Sequence, residues 1–149
     1  MVASLAQLGE VAVDIPAVAI ELASCFWPGA LTLVVHRHPS VPEAVTGGLS
    51  TVAVRQPDHL TPLALIAACG APITGTSANY SGGPQPASAQ EVVRQLGDAV
   101  DMVLDGGTCP GGVPSTILDV TVSPPTVLRL GAVSVERLRA VCAVAVAGA

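Results

Sequence analysis

Apolar residues occur in short runs along the chain, and glycine, proline and polar residues separate one run from the next. Continuous apolar or β-branched runs predict strands over 30–36, 51–55, 71–74, 101–105, 115–121 and 124–129. Capping residues next to apolar stretches predict helices over 4–10, 16–26, 61–69, 88–96 and 134–146. Strands that alternate with helices are typical of an α/β fold, so we expect an open, twisted mixed sheet with flanking helices, covered on both faces.

Two helix ends carry specific signals. Thr61 followed by Pro62 predicts a helix start, and Gly70 predicts its end. Ser88 and Glu91 have the spacing of a capping box. Because the sequence shows no internal repeat and no interdomain linker, we expect residues 1–149 to form a single domain.

Composition narrows the class of protein. Half of the 149 residues are hydrophobic and 11% are charged, which excludes a disordered chain. Glu21 interrupts the apolar stretch 15–27, so no membrane span of about 20 residues is predicted. The first residues lack a basic region followed by an apolar one, which predicts a cytoplasmic protein without a signal peptide.

Charge and cysteine content restrict the chemistry further. The net charge is −5 and all six basic residues are arginines, so lysine chemistry is excluded and broad affinity for nucleic acid is disfavoured. The four cysteines are far apart in sequence and form no metal-binding spacing. We therefore expect reduced, mostly buried thiols and no metal site; the cysteines are Cys25, Cys69, Cys109 and Cys142.

The segment 75–86, with the sequence GTSANYSGGPQP, is too rich in glycine, proline and serine for regular structure. It follows a predicted strand and precedes a predicted helix, which is where α/β sheets bind anions. It matches neither a P-loop nor a dinucleotide-binding fingerprint. An anion-binding loop and a solvated surface loop are therefore both consistent with this segment.

Arg55 and Arg129 each end an apolar run, and Ser115 begins one. A guanidinium at a strand end suits a carboxylate or phosphate, but a salt bridge to one of the eleven acidic residues fits equally well. The Ser115 hydroxyl fits either a ligand contact or a local backbone contact. His36 and His38 are interpreted as a solvent-facing strand end, because two histidines are too few for a metal site.

The chain resembles the YrdC/TsaC family, the L-threonylcarbamoyl-AMP synthases of transfer RNA modification. The motifs that carry this resemblance are FWPGALTLVV (26–35), TVAVRQPDH (51–59), APITGTSANYSGGPQP (71–86), GGVPSTILDVT (111–121) and VLRLGAVS (127–134). The resemblance implies a YrdC-like open sheet and the conversion of L-threonine, bicarbonate and ATP to threonylcarbamoyl-AMP and pyrophosphate. It also implies Mg²⁺ and a contribution to the t6A modification of transfer RNA, with downstream t6A transferase proteins as partners and transfer RNA or double-stranded RNA as a further contact.

The same motifs imply binding roles for individual residues. The resemblance assigns the ATP site to Thr51, Ser77, Asn79, Gln85 and Arg129. It assigns the L-threonine site to Arg55, Gly75 and Ser115. No catalytic nucleophile and no protein metal ligand are implied, because the reaction depends on placing the reactants and neutralising phosphate charge.

One departure from the family pattern concerns the region before Met1. The family's P-T-[DE]-T-x-Y-G-L and K-x-R motifs are not in this sequence, so we expect it to represent the C-terminal three quarters of a YrdC-like domain that lacks the N-terminal strand and helix segment. A start codon assigned too late would explain this. As given, the chain is expected to bind ATP poorly, and an upstream extension is expected to restore turnover.

Three other interpretations remain at this point. They are a YciO-like relative, an RNA-binding module without catalysis, and a YrdC-like domain of a hydrogenase-maturation carbamoyltransferase. The net charge disfavours the second, and the third is a longer protein with zinc-binding cysteines that this sequence lacks.

Overall fold

The computed structural model of the protein describes residues 1–109 and 113–148. They form two compact units, Met1–Thr74 with Val113–Ala149 and Gly75–Gly112. We call the first the sheet unit and the second the loop unit. That the two act as one functional domain stays a prediction.

The sheet unit contains one mixed sheet. Its strands are β1 (Ala12–Val13), β2 (Leu31–Arg37), β3 (Thr51–Val54), β4 (Thr116–Asp119), β5 (Thr126–Arg129) and β6 (Ala145–Val146). The order is β1-β2-β4-β5-β6, and β3 pairs with β2. The β2–β4 and β5–β6 pairs are parallel and the others are antiparallel. The predicted α/β class with an open mixed sheet is therefore confirmed.

The helices lie between these strands in the chain. In the sheet unit they are α1 (Leu8–Val11), α2 (Ala17–Phe26), α3 (Glu43–Thr46), α4 (Leu60–Cys69) and, near the C-terminus, α6 (Val135–Arg139). The loop unit contains α5 (Ala89–Leu96). A 3₁₀ turn precedes α1 over Leu5–Gln7, and another follows α5 over Gly97–Ala99.

One face of the sheet carries the core. Side chains alternate between the two faces of a strand, and the odd-numbered β2 residues Leu31, Leu33 and Val35 are fully buried. They pack with Leu22 of α2 and Leu138 of α6 in one hydrophobic cluster. This face anchors the sheet to its helices.

The opposite face of the sheet is more open than predicted. Thr32 and Val34 of β2 are only partly buried there, and His36 is exposed. The predicted cover of both faces is therefore only partial on this one. An apolar run alone does not show whether both faces of a strand are buried or whether one face is partly exposed.

Three predicted elements differ from the structure because strands need partners. Residues 71–74 form no strand: Pro72 has no N–H, and the Ile73 N–H donates to the Met1 carbonyl. Residues 101–105 are irregular, with Met102 76% exposed. The last helix ends at Arg139 instead of near 146, because Ala145 and Val146 pair with β5.

Helix caps follow local chemistry closely. The Ser88 side chain accepts the Glu91 N–H at 3.3 Å, which confirms the predicted Ser88 cap. The Glu91 carboxylate accepts the N–H of Ala87 at 2.6 Å, one residue before the N–H that a full capping box uses. Helix α4 begins at Leu60, two residues before the predicted first position Pro62, so the prediction of Thr61 as its cap is wrong. Its cap is His59, whose Nδ1 accepts the Thr61 N–H at 3.2 Å, and Gly70 ends it with φ 66°.

Candidate functional site

Four of the predicted site residues lie on the sheet unit, at strand ends. Thr51 is the first residue of β3, and Arg55 directly follows the end of this strand. Thr51 and Arg55 are therefore about 13 Å apart, at ~3.3 Å per residue. Ser115 directly precedes β4, and Arg129 ends β5. Thr51 pairs with His36 and Arg129 pairs with Ile117, which places both on the open face of the sheet.

A row of cross-strand neighbours connects these strand ends. Val54 pairs with Leu33, so extending the register by one residue puts Arg55 opposite Thr32. Thr32 pairs with Ile117, which in turn pairs with Arg129. Arg55 and Arg129 thus flank β2 and β4, separated by about 14 Å at ~4.8 Å per strand. We call Arg55, Thr32, Ser115 and Arg129 the polar row.

Ser115 is the most closely held member of the polar row. Arg129 Nη2 donates to the Ser115 carbonyl at 2.8 Å and to the Ser115 hydroxyl at 3.1 Å, and Arg129 Nε donates to the same carbonyl at 3.2 Å. The hydroxyl oxygens of Thr32 and Ser115 are 2.8 Å apart. These contacts fix both the backbone and the side chain of Ser115.

The backbone around Ser115 has no room for an additional atom. A Cβ on Gly131 would lie inside van der Waals contact of the Pro114 carbonyl and 2.5 Å from the Ser115 carbonyl carbon. The fully buried Thr116 hydroxyl donates to the Val133 carbonyl at 2.6 Å and accepts the Val133 N–H at 3.1 Å. The segment after β5 is therefore packed directly against the start of β4.

Arg55 is anchored by one nitrogen and unengaged at its other two. Its Nε donates to the Gly29 carbonyl at 2.6 Å. Partial burial lowers the pKa of this guanidinium, and the negative charge of Asp58 opposes that shift. Among the described residues, neither Nη1 nor Nη2 of Arg55 has a protein acceptor, so this end of the fork is available to an anion.

The salt-bridge interpretation of these arginines is not realised in the part of the chain that the structure describes. The ion pairs there join Arg37 to Glu43 at 3.5 Å and Arg94 to Glu91 at 3.7 Å. Arg55 and Arg129 instead donate to backbone carbonyls. Their positive charges are therefore not neutralised by a carboxylate in direct contact.

The loop unit holds the other four predicted residues. Asn79 Nδ2 donates to the carbonyls of Tyr80 and Gly83, each at 2.8 Å, so its donors close the loop. Its buried Oδ1 has no hydrogen-bond partner among the described residues. Gly75, Ser77 and Gln85 are exposed. Their roles, and a ligand contact by Asn79, stay predictions.

The cysteine side chains are more exposed than predicted. Burial of the cysteines was a wrong expectation: Cys25, Cys69 and Cys109 are exposed, and Cys142 is partly exposed. Cys25 lies in the last turn of α2, after its buried residues Leu22 and Ala23, and Cys69 ends a helix whose one buried residue is Ile66. Across residues 1–109 and 113–148, no three His, Cys, Asp or Glu side chains gather as metal ligands.

Among the residues that the structure describes, none of the helices has the length and apolar character needed to cross a bilayer.

Two residues of the site, Thr32 and Gly131, were not predicted from the sequence. Thr32 lies inside the run ALTLVVH, where a single threonine also fits ordinary strand preference. The signal available in the sequence is that Thr32 carries a hydroxyl group among leucines and valines. Gly131 lies between Leu130 and Ala132, and its close approach to β4 becomes visible only in three dimensions.

The family model Sua5_yciO_yrdC, described as "Telomere recombination", matches residues 1–131. The chain belongs to this family. A threonylcarbamoyl-AMP synthase of Pyrococcus abyssi is 44% identical over 140 residues, covering 94% of this chain and 41% of that protein. A protein of the same name from Bacillus subtilis is 42% identical over 144 residues, with the same two coverages. The chain thus spans about two fifths of the length of these family members.

Solved structures of the Sua5/YciO/YrdC family agree with the fold. A structure of Pyrococcus abyssi Sua5 complexed with L-threonine has a TM-score of 0.93 at 42% identity, covering 97% of this chain and 43% of that one. The structure of Escherichia coli YciO has a TM-score of 0.80 at 27% identity, covering 91% of this chain and 66% of that one.

Proposed function

We propose that the protein is an L-threonylcarbamoyladenylate synthase, a nucleotidyltransferase that converts L-threonine, bicarbonate and ATP to threonylcarbamoyl-AMP and pyrophosphate. The observation that carries this proposal is the polar row, in which two arginines without acidic partners flank a pair of hydroxyl groups. Carboxylate and phosphate are the anions of this reaction, and arginine binds both through charge-assisted, often bidentate hydrogen bonds. The family and its named relatives supply the reaction class.

L-Threonine is assigned to the Arg55 end of the row. The unengaged Nη1 and Nη2 of Arg55 present parallel N–H groups, which match the two oxygens of a carboxylate. Because Nε is already held by the Gly29 carbonyl, the fork is oriented before the ligand arrives. Ser115 and the backbone of Gly75 complete the proposed amino-acid site. The solved complex of Pyrococcus abyssi Sua5 with L-threonine supports this substrate.

ATP is assigned to Thr51 and Arg129 in the sheet unit and to Ser77, Asn79 and Gln85 in the loop unit. Arg129 keeps the two N–H groups of Nη1 without an acceptor in the described residues, which suits a phosphate oxygen. Ser77 is exposed and offers a hydroxyl. Asn79 offers its unpartnered Oδ1, because Nδ2 closes the loop.

The chemistry requires no enzyme-bound intermediate. The amine of L-threonine attacks the carbon of bicarbonate, water leaves, and a carbamate oxygen then attacks the α-phosphorus of ATP while pyrophosphate departs. Holding the reacting groups in line contributes about 7–11 kcal/mol in the best cases. The proposed roles of the protein are therefore binding, orientation and charge neutralisation, and none of its side chains is assigned as a nucleophile.

The described residues contain no cluster of three or more His, Cys, Asp or Glu side chains that could bind Mg²⁺. Asp119 lies on the face of the sheet that carries the polar row, but its Oδ1 accepts the backbone N–H and the hydroxyl of Thr121. Magnesium in nucleotide sites is usually bound through substrate phosphates and water. We therefore infer that any Mg²⁺ arrives with ATP, and we derive no step through it.

The product suits a later transfer to transfer RNA for the t6A modification, carried out in the cytoplasm by separate transferase proteins. A non-catalytic RNA-binding module is the second candidate. The net charge of −5 disfavours it, because Lys and Arg contacts to phosphates supply most sequence-independent affinity for RNA. A YciO-like role has less support, because the chain is 27% identical to YciO and 42% identical to Sua5.

Calorimetric titration with L-threonine tests the proposal directly. We expect Arg55→Gln to weaken L-threonine binding about 100-fold, because a charged, bidentate contact is lost. Arg94→Gln is the matched control, since Arg94 pairs with Glu91 on the exposed surface of α5. Pyrophosphate release with bicarbonate and ATP should depend on L-threonine. A protein that binds no L-threonine, or binds it equally well after Arg55→Gln, would contradict the proposal.

A further inference from the structure

The Ser115 hydroxyl has a limited number of hydrogen bonds to make. It carries one proton and two lone pairs. Arg129 Nη2 donates into one lone pair at 3.1 Å, and a guanidinium has no lone pair to accept in return. The Thr32 hydroxyl, 2.8 Å away, either fills the second lone pair or takes the proton.

A bound carboxylate selects one of these two arrangements. Thr32 and Ser115 are both partly buried, and the 2.8 Å between their hydroxyl oxygens allows either one to donate. An ionised carboxylate at Ser115 only accepts hydrogen bonds, so with this ligand Ser115 donates to the carboxylate and Thr32 donates to Ser115. Both lone pairs of Ser115 Oγ are then filled. The Ser115 proton is left without a partner in the protein.

We propose that Thr32 is a positioning residue, which makes the Ser115 hydroxyl a hydrogen-bond donor toward the carboxylate of the bound amino acid. The inference rests on the proposed function and adds a residue to it. Ionised carboxylates accept hydrogen bonds and donate none, so a donor at Ser115 favours the carboxylate. The Arg55 fork and the Ser115 proton then contact the same anion from the two sides of β2.

Two variants of Thr32 separate its hydroxyl from its volume. Thr32→Val keeps the branched shape and removes the donor, whereas Thr32→Ser keeps the donor and removes a methyl group. We expect Thr32→Val to bind L-threonine about tenfold more weakly and Thr32→Ser to stay within about threefold of the native protein. Thr126→Val is the matched control on β5, where the hydroxyl donates to the Pro124 carbonyl instead.

Additional readouts distinguish positioning from general damage to the sheet. Affinity for ATP should stay within about twofold in every variant, and the melting temperature of Thr32→Val should stay within about 4 °C of the native value. A sheet that is merely loosened would lose both ligands together and melt early. Calorimetry with L-threonine and with ATP, and a thermal scan, provide these measurements.

The outcomes distinguish this inference from the function on which it rests. A tenfold loss for L-threonine alone in Thr32→Val, rescued in Thr32→Ser, supports it. Equal affinities of the native protein and Thr32→Val, or equal losses for L-threonine and ATP, would overturn the role of Thr32 and leave the proposed function standing. A native protein that binds no L-threonine would overturn both.

Discussion

In the sheet unit, the candidate binding side chains are tied to the backbones of neighbouring strands, whereas in the loop unit one asparagine closes the loop from within. Arg129 spans β5 and the start of β4, and Arg55 donates to the Gly29 carbonyl ahead of β2. Within the described residues, the Asn79 side chain bonds only to Tyr80 and Gly83, which are one and four residues away.

The difference separates two ways of preparing a ligand contact. Long-range contacts between strands orient the arginines of the polar row, so their geometry depends on the whole sheet. Short-range contacts shape the segment 75–86, so its geometry depends on a few local residues. Substitutions that disturb the polar row should therefore destabilise the whole sheet unit, whereas substitutions in the segment 75–86 should change only that loop.

Gly131→Ala should have the largest effect on stability. The new methyl group would clash with the backbone of Pro114 and Ser115, so we expect a loss of about 2–4 kcal/mol in the free energy of unfolding. Denaturant titration measures it. Gly9→Ala is the matched control, because nothing lies within 4 Å of its position and the change is expected to be neutral or slightly stabilising. Equal effects of the two substitutions would show that the close approach at β4 is not a constraint.

Asn79→Ala should loosen the loop unit without unfolding the sheet. Two hydrogen bonds to carbonyl groups are lost, which is expected to cost about 1–3 kcal/mol locally. Hydrogen exchange should speed up across 75–86 and stay unchanged in β2 and β4. Gln90→Ala, at an exposed position of α5, serves as the control. Faster exchange in β2 would contradict the local character of this loop.

Removing one helix cap from each unit should have a smaller effect. Ser88 accepts the Glu91 N–H at the start of α5, and Ser134 accepts the Arg137 N–H at the start of α6. Each Ser→Ala change is expected to cost about 1 kcal/mol. Ser134→Ala should lower the stability of the core cluster, which contains Leu138, whereas Ser88→Ala should mainly change exchange within α5. Identical exchange patterns for the two variants would remove the distinction between the units.

The smallest expected effect is a difference in thiol reactivity between the two units. Burial and the negative charge of Glu21 raise the pKa of Cys142, so less of it is thiolate at a given pH. Cys109 in the loop unit is exposed. At pH 8, iodoacetamide should therefore modify Cys109 faster than Cys142, and the difference should narrow as the pH rises through the raised pKa. Mass spectrometry of the modified peptides measures both rates, and equal rates at pH 8 would refute this expectation.

Local chemistry was predictable from the sequence, and strand pairing was not. The cap formed by Ser88 and Glu91 involves only residues 87–91, which the sequence displays directly. The strand Ala145–Val146 pairs with residues that lie about twenty positions earlier, and its Val-Ala-Val pattern fits a helix end equally well. Residues 101–105 show the reverse case, in which an apolar pattern has no strand partner among the described residues.

The same distinction applies to the candidate site. Arg55 and Arg129 were identified because cations that end apolar runs are unusual in a chain with six basic residues. Thr32 was missed because only the register of β2 with β3 and β4 shows that it lies between them. For Asn79, composition suggested a ligand donor, but both of its described donor contacts are to loop carbonyls.

The account depends most on where L-threonine binds in the sheet unit. Backbone amide NMR spectra, recorded while L-threonine is added to the protein, test this directly. We predict the largest shifts at Gly29, Arg55, Ser115 and Thr116, with smaller shifts near Gly75. Shifts confined to residues 76–109, or an unchanged spectrum at saturating L-threonine, would contradict the assignment of the polar row as the carboxylate site.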